Sequence, residues 1–592
     1  MHGYRNRVLR INLRNRVVTT MEIKPGIARK FIGGRGFGLW LILDLNLDVD
    51  SVDPYGPENP LIIATGPLGG TRIPLATRAA AVFKSPLTNR WSYSTVGGTL
   101  GAYMKYAGVD AVVITGISDG PVHLIISDGG VEFRDARELW GLDTVETEHA
   151  IKREFRDSAV LTVGPAGENK VPYACIGHED WRQFGRTGAG AVMGSKKVKA
   201  ITFIPTSKTV DVADEKAYQD LVRNLGRQAV TNPGMVPYRQ GGTVRLIDVG
   251  NNMGFFPSIY WTRVVMPHWE DISWEKALRP RYFVKNGACL YCPVACHKVV
   301  RSSSGEYDLE YETTMALAGL TGIHNPQELI DLAELADRLG FDTISLGNTV
   351  AFMIYLGEKG IIKGAPKWGD YEGVRQLIMD TAYRRGLGEL AALGTKALAE
   401  RLGVPELAIH VKGLEPAAYD PRTLKGMILN NAVSERGADH LWSSAYAVDI
   451  AGQAGGRFAT GEEKVRAVMD IEERNALYDS MLLCKFGRAI YTWDVIKDVL
   501  NAVTGFDYTV DELREAAQRI IVLHRYLNKT TIEQDRLPPR WLREPVEYEG
   551  KQYVVTEEEW SSMVRRYYEL RGYDELGRPR HETLVRLGIT RT

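Results

Sequence analysis

Cys289, Cys292 and Cys296 stand at i, i+3 and i+7 in the run Cys-Leu-Tyr-Cys-Pro-Val-Ala-Cys, and Cys484 lies far downstream. Four thiolates presented to one point hold an iron–sulfur cluster or a zinc ion. The three-cysteine spacing lets a short stretch wrap a compact cluster, with Pro293 restraining its backbone. Structural zinc more often uses two paired Cys-x-x-Cys knuckles, so a cluster is favoured, with zinc and His297 as the competing ligand set. The fifth cysteine, Cys175, sits in the apolar context Tyr173-Ala174-Cys175-Ile176 and reads as a buried free thiol.

Several glycine-rich stretches accompany this redox signature: Gly33 to Gly38, Gly66 to Gly70, Gly97-Gly98-Thr99-Leu100-Gly101, Gly164 to Gly167 and Gly185 to Gly190. One such stretch usually marks a turn, but together they suggest backbone approaching a large polar ligand. None fits a dinucleotide fingerprint, and no βαβ unit is expected around them. Arg35, Arg78, Arg182 and Arg186 are set among these glycines, where guanidinium groups and exposed N–H groups could hold phosphate oxygens. The alternative for each is a surface arginine.

Carboxylates recur with a common offset. Asp337 and Asp342 flank a helix end at Gly340, and Asp479 lies five residues before Cys484. They could accept hydrogen bonds from a heterocycle or merely solvate helix ends. Glu310 and Glu312 follow the cysteine run, where either could cap a helix starting near Thr313, and His440 lies further on. From spacing alone, a structural role is at least as good a reading for each.

These residues need a scaffold. The 592-residue chain is 44% apolar and 25% charged, ordinary for a globular enzyme with a large core. Its 73 basic residues equal its 73 acidic ones, so no net field draws it to nucleic acid or an anionic membrane. No secretory leader or long apolar span is expected, which points to the cytoplasm. Short β-rich runs at 8–13, 60–65, 111–115, 122–126, 159–163 and 200–204 predict a sheet-rich first third, with a helix over 99–107. Beyond Pro205 the period is helical: 215–229, 373–385, 464–483, 510–526 and 557–571. Over 326–339, Asn325 supplies an N-cap, Pro326 the first helical position and Gly340 the stop. No internal repeat is evident. The expected division is a β-rich segment 1–207, a helical segment 208–408 and a helical segment 409–592.

Across essentially its whole length, the chain resembles the tungsten-containing aldehyde ferredoxin oxidoreductase family. The resemblance rests on Phe31-Ile-Gly-Gly-Arg-Gly, Lys84-Ser-Pro-Leu-Thr88, Val96-Gly-Gly98, Gly164-Pro-Ala-Gly-Glu-Asn169 and Gly190-Ala-Val-Met-Gly-Ser-Lys196. It continues through the cysteine run, Glu310-Tyr-Glu-Thr313, Cys484-Lys-Phe486 and Glu582 to Gly588. It implies an α+β fold in which an N-terminal β-sheet domain cradles a tungsten bis-molybdopterin cofactor under two mainly α-helical domains. Cys289, Cys292, Cys296 and Cys484 would hold a 4Fe-4S cluster. Arg78 and Arg182 would meet pterin phosphates bridged by Mg2+, with the carbonyls of Thr95 and Gln183 on that ion. Gly97, Gly98, Gly185 and Arg186 would line the cofactor, Asp337, Gly340 and Asp342 would form one pterin motif, and Asp479 and Leu483 the other. Leu482 departs from the glycine usual in that second motif, and the family's metal at a dimer interface has no counterpart around Asp331 to Glu334.

By the same resemblance, Glu312 is the expected general base and His440 the group that binds the developing oxyanion or passes a proton, with Glu310 as the fallback. The implied reaction oxidises a small-molecule aldehyde with water and sends electrons through the cluster to ferredoxin. A homodimer or a complex with an electron-transfer subunit is the expected assembly. Glyceraldehyde 3-phosphate oxidation or benzoyl-CoA-type thioester reduction are alternatives, and a four-cysteine zinc or electron-transfer protein is the non-enzymatic one.

Overall fold

A computed structural model describes residues 1–590. Twelve strands build the first third: β1 Val8–Asn12, β2 Val17–Met21, β3 Leu61–Ala64, β4 Ala79–Lys84, β5 Trp91–Val96, β6 Ala111–Thr115, β7 Val122–Ser127, β8 Gly130–Asp135, β9 Ala159–Val163, β10 Ile176–His178, β11 Arg182–Phe184 and β12 Val198–Phe203. They form two six-stranded sheets ordered β2-β1-β6-β3-β4-β5 and β11-β10-β9-β12-β7-β8.

The second order is the first with six added to every strand number, read from the opposite edge. Pairing directions match as well. β1 and β7 each make an antiparallel hairpin with the next strand and a parallel pair with β6 or β12, while β3 and β9 run antiparallel to those same strands. The expectation of no internal repeat is therefore corrected at the level of topology: the sheet third is one design used twice. Its sequence trace is lost because a strand needs only alternating apolar residues, which many sequences supply.

The sheets pack face to face. Leu9, Ile11, Leu61, Ile63, Ala81 and Phe83 from the first meet Leu124, Ile126, Leu161, Val163, Ile201 and Phe203 from the second in one apolar layer. Period-2 alternation gives the first sheet a second apolar face, with Val8, Ile62, Ala64, Val82, Trp91, Tyr93 and Val113, which joins the core of the helical remainder. The first sheet is thus buried on both sides, and this second core runs from Tyr4 to Ile589.

Every strand expected from sequence forms, within two residues of its expected ends, as does the helix Leu100–Tyr106. β2, β4, β5, β8, β10 and β11 were not expected from sequence. β4 reads Ala-Ala-Ala-Val-Phe-Lys, a helix-prone composition overridden by its place between β3 and β5. The glycine-rich Gly33 to Gly38 is the start of a helix, Gly34–Asp44, rather than a ligand-binding turn. A Cβ on Gly36 would fall 2.0 Å from the Phe31 carbonyl oxygen and one on Gly38 would fall 2.2 Å from the Val82 side chain, so these glycines permit close packing. Gly190 likewise opens the helix Ala189–Ser195 against the Cys175 carbonyl, 2.0 Å from any added Cβ. The helix Pro326–Leu339 starts and stops as expected, with Asn325 accepting from Gln327 and Glu328 and Gly340 at φ 83°. No helix among the described residues is long and apolar enough to cross a membrane.

Gly190→Ala should therefore destabilise by about 1–3 kcal/mol through overpacking. Gly226→Ala, at a helical position where an added Cβ meets nothing within 4 Å, should stabilise by about 0.5–1 kcal/mol. Paired urea melts check both, and equal midpoints would contradict the packing account.

Candidate functional site

The edge strands β5 and β11 of the two sheets come together, with Arg186 N–H donating to Ser94 Oγ at 3.3 Å. Above this junction lies a cavity of about 460 Å3, roofed by helical segments from the rest of the chain. Because the two halves share one topology, the residues directly after β5 (Gly97) and after β11 (Gly185) occupy equivalent positions on its floor. Arg78, Thr95, Gly97, Arg182, Gln183, Gly185 and Arg186 all line it. Arg78 donates to Thr95 Oγ at 3.0 Å.

Cys289, Cys296 and Cys484 line the same cavity, and a smaller adjoining space is lined by all four cysteines with Leu75 and Phe486. Tyr291 and Ala295, each immediately before a cysteine, take left-handed φ values of 55° and 49°. Those turns redirect the chain at a conformational cost and let thiols three and four residues apart face one space. Gly98 N–H donates to Cys289 Sγ at 3.2 Å, and a Cβ on Gly97 would lie 3.0 Å from that sulfur. Burial and mutual proximity raise the thiols of Cys289, Cys292 (to about 12) and Cys296. Such a set is uncomfortable as thiolates alone and suited to a cationic inorganic partner. No three His, Cys, Asp or Glu side chains among the described residues converge on a single-ion site. Cys175 is fully buried and donates to the Gly185 carbonyl at 3.1 Å, as a structural thiol should.

The three aspartates are buried, and only Asp342 also serves a helix end. Asp337 accepts from the Tyr307 hydroxyl at 2.8 Å, and burial pushes its carboxyl up to about 7. Asp342 caps the helix Thr343–Glu358 through Ile344 N–H and ion-pairs with Arg186 at 2.9 Å. Asp479 is held by the Tyr93 hydroxyl at 2.7 Å and Lys485 at 2.8 Å. Leu482 ends the preceding helix Glu462–Met481 at φ 68°, so the backbone keeps the left-handed form that glycine would favour even though leucine occupies it. Its side chain compensates by packing over Gly34.

Glu312 sits in the single helical turn Tyr311–Thr314, continued by a π-helical turn Met315–Gly319. Its side chain caps nothing, while Glu310 holds the N-cap position through its carbonyl, which accepts from Thr314 N–H at 3.1 Å, and its carboxylate pairs with Arg182 at 3.1 Å. Glu312 Oε2 accepts from Ala418 N–H at 2.9 Å, while Oε1 is buried without a hydrogen-bond partner, 3.5 Å from His440 Nε2. Burial raises this carboxyl to about 8 and lowers His440 to about 3. Near neutrality both are uncharged and together hold one movable proton. His440 stacks on Tyr419, centroids 5.7 Å apart, and Tyr419 stacks on Tyr446 at 3.9 Å.

The cavity thus gathers Arg78, Thr95, Gly97, Arg182, Gln183, Gly185, Arg186, Cys289, Cys296, Glu312, Asp337, Asp342, His440, Asp479 and Cys484. Gly98, Gly340, Leu483 and Cys292 are not among its lining residues, although Cys292 lines the adjoining space. Arg35 is corrected: it is fully buried between the rings of Tyr93 and Trp442 and 3.9 Å from Asp479, away from the cavity. Sequence reading missed Tyr307, Asp308, Lys485, Arg436 and the aromatic wall of Tyr238, Tyr419 and Tyr446. Lys485 and Tyr307 had a usable signal in their adjacency to the cysteine and Glu310 motifs; the tyrosines had none.

Gln183 Nε2 and Oε1, one Nη of Arg186, Glu312 Oε1 and His440 Nδ1 are buried polar atoms with no hydrogen-bond partner among the described residues. Their concentration around one cavity fits a large polar ligand that supplies the missing bonds.

Comparison with known proteins is consistent across the chain. The family model described as the aldehyde ferredoxin oxidoreductase N-terminal domain matches residues 8–204, and that for domains 2 and 3 matches residues 220–589. A tungsten-containing aldehyde ferredoxin oxidoreductase of Pyrococcus abyssi is 37% identical, over 100% of this chain and 99% of its own length. An aliphatic sulfonate oxidoreductase, WOR-like subunit, of Pyrococcus furiosus is 29% identical over 100% and 97%. Among solved structures, the active site complex BamBC of benzoyl coenzyme A reductase with 1,5-dienoyl-CoA superposes with a TM-score of 0.86 at 24% identity. It covers 99% of this chain and 97% of that one, a likeness of fold.

A buried carboxyl raised from 4.5 to about 8 binds its proton more tightly in the folded than in the unfolded chain. Its contribution to stability is full below the unfolded value and is lost as pH climbs through the interval to about 8. Glu312→Gln cannot ionise, so its unfolding free energy should gain on that of the parent across this interval, measured by denaturant titration at a series of pH values. A constant difference would contradict a neutral Glu312.

Proposed function

Because this chain belongs to the aldehyde ferredoxin oxidoreductase family, a family of oxidoreductases, we propose that it oxidises an aldehyde to the carboxylate with water, using a tungsten bis-pterin centre. The observation that carries the reading is the ring of unpartnered buried polar atoms around one cavity, beside four convergent cysteines and a neutral Glu312–His440 pair. The tungsten centre would accept two electrons from the substrate and release them one at a time. The division 1–207, 208–408 and 409–592 remains part of the proposal, and each segment contributes to the cavity.

In this proposal Arg78 and Arg182 meet the pterin phosphates and their Mg2+, with the carbonyls of Thr95 and Gln183 toward the ion. Gly97, Gly98, Gly185 and Arg186 form the floor. Asp337, Gly340 and Asp342 hold one pterin, and Asp479 with Leu483 the other. Cys289, Cys292, Cys296 and Cys484 carry a 4Fe-4S cluster, the exit to ferredoxin. Asp308 and Glu310, paired with Arg182, would orient that guanidinium.

Glu312 and His440 manage protons. Oxidation of an aldehyde by water releases protons as well as two electrons, so a group able to take a proton must stand by the attacking water. Glu312 does so as its carboxylate, the form that prevails above about pH 8. His440, neutral at all working pH values, can donate one ring N–H to the carbonyl oxygen and relay Glu312's proton outward. Desolvation that makes Glu312 basic also excludes competing water from the reacting carbon.

Turnover should rise with pH through about 8. Glu312→Gln and His440→Ala should each lower kcat by about 10²–10⁴-fold with tungsten and iron content intact, read by viologen reduction with an aldehyde panel and elemental analysis. Full turnover in both variants would refute the assignment. Cys484→Ser should abolish the electron paramagnetic resonance signal of the reduced cluster.

A further inference from the structure

Six arginines line the cavity: Arg78, Arg182, Arg186, Arg245, Arg436 and Arg488. Three have carboxylate partners: Arg182 with Asp308 and Glu310, Arg186 with Asp342 at 2.9 Å, and Arg436 with Asp439 at 2.6 Å. Arg78 belongs to the cofactor floor. Arg245 and Arg488 remain, and the proposed function assigns neither a role.

Both frame one end of the aromatic wall. Arg488, in the short turn Lys485–Ala489 that follows the last cysteine, lies 3.5 Å from the Tyr238 hydroxyl and 3.3 Å from the Tyr446 hydroxyl. Arg245, just before the helix Leu246–Met253, lies over the Tyr238 ring with its guanidinium carbon 5.5 Å from the centroid. Among the described residues neither has a carboxylate partner, the Arg488 side chain bonds only the two phenols, and each keeps a buried Nε without a partner. Two like charges around one tyrosine, turned into a cavity and given no carboxylate, are costly in the free protein. Guanidinium groups repay that cost best by bidentate bonds to an anionic oxygen group.

Tyr446 fixes where this end stands relative to the chemistry. Its ring centroid is 6.1 Å from that of His440 on one side and 5.6 Å from the Arg488 guanidinium carbon on the other. A substrate lying along Tyr446 would present one end to Glu312 and His440 and the other to the arginines. We propose that Arg245 and Arg488 form an anion subsite, and that the substrate is a short aldehyde carrying a carboxylate or another anionic oxygen group at its far end. This rests on the aldehyde-oxidising reading above. The chemistry is unaltered: the aldehyde carbon gains oxygen from water, and two electrons leave by the redox path of the proposed function to a one-electron acceptor. The far anion is untouched.

The test compares succinic semialdehyde, glyceraldehyde 3-phosphate and butanal in viologen-linked turnover by the holoenzyme, with Arg488→Gln and Arg245→Gln made separately in case one fails to fold. An anionic aldehyde should exceed butanal in kcat/KM by about tenfold or more, the scale of one charge-assisted hydrogen bond, with the two anionic substrates deciding between carboxylate and phosphate. Each variant should collapse that ratio through KM. Calorimetric binding of succinate, the product of the semialdehyde, should weaken by a similar factor in both variants, while succinamide should bind none of the proteins.

A ratio near one in the parent, or one that survives both substitutions, overturns the subsite while leaving aldehyde oxidation intact. Loss of tungsten or pterin from the variants also overturns it, because the arginines would then serve the cofactor. If the fully metallated parent turns over no aldehyde, the functional reading fails, and succinate calorimetry alone decides: arginine-dependent binding keeps the subsite and no binding removes it.

Discussion

The meeting of two sheet edges organises this molecule. An unpaired edge strand offers a row of free N–H and C=O groups, and proteins must cover it. Here β5 and β11, the corresponding edges of two sheets of the same topology, lie against one another without a shared ladder, and Asn528 and His524 side chains meet the backbone groups of Trp91 on β5. Their ends are thereby held side by side, and the short glycine-bearing turns that leave them become a floor on which a ligand can lie. The helical two thirds then have one place to close over, because the first sheet's second face is apolar and must be buried against them.

Electrostatics at the cavity follow from that closure. Roofing the floor removes water from Glu312, Asp337 and His440 alike, and all three shift toward their neutral forms. Beside the proton-handling pair the retained charges are paired, as in Arg186 with Asp342 and Lys485 with Asp479, whereas Arg245 and Arg488 have no carboxylate partner among the described residues. The neutral Glu312–His440 pair within this charged surround suits redox chemistry in which protons must leave with electrons, since it can pass a proton without separating charge.

Much of this was legible in the sequence, but unevenly. The cysteine quartet announced itself because few side chains can do what four thiolates do. The helix Pro326–Leu339 was readable to the residue because cap, proline and glycine each mark a boundary by a separate mechanism. The glycines misled: most of those in Gly33 to Gly38 and Gly185 to Gly190 serve backbone packing, and only Gly97 and Gly185 face the cavity. Composition reveals that a Cβ is absent without revealing what fills its space. Tyr238, Tyr419 and Tyr446 come from separate segments, and no local pattern links them. The duplicated topology was invisible for a similar reason, since strand order is a long-range property.

That duplication is not carried through to the roof. Gly97 has Cys289 beside it, while its counterpart Gly185 has only Gln183 within 4 Å of a would-be side chain. The start of β4 follows Arg78, whereas the start of β10 follows the inert thiol of Cys175. A pedestal with near twofold regularity therefore bears an unsymmetrical load. Two chemically alike groups resting on it would feel different fields.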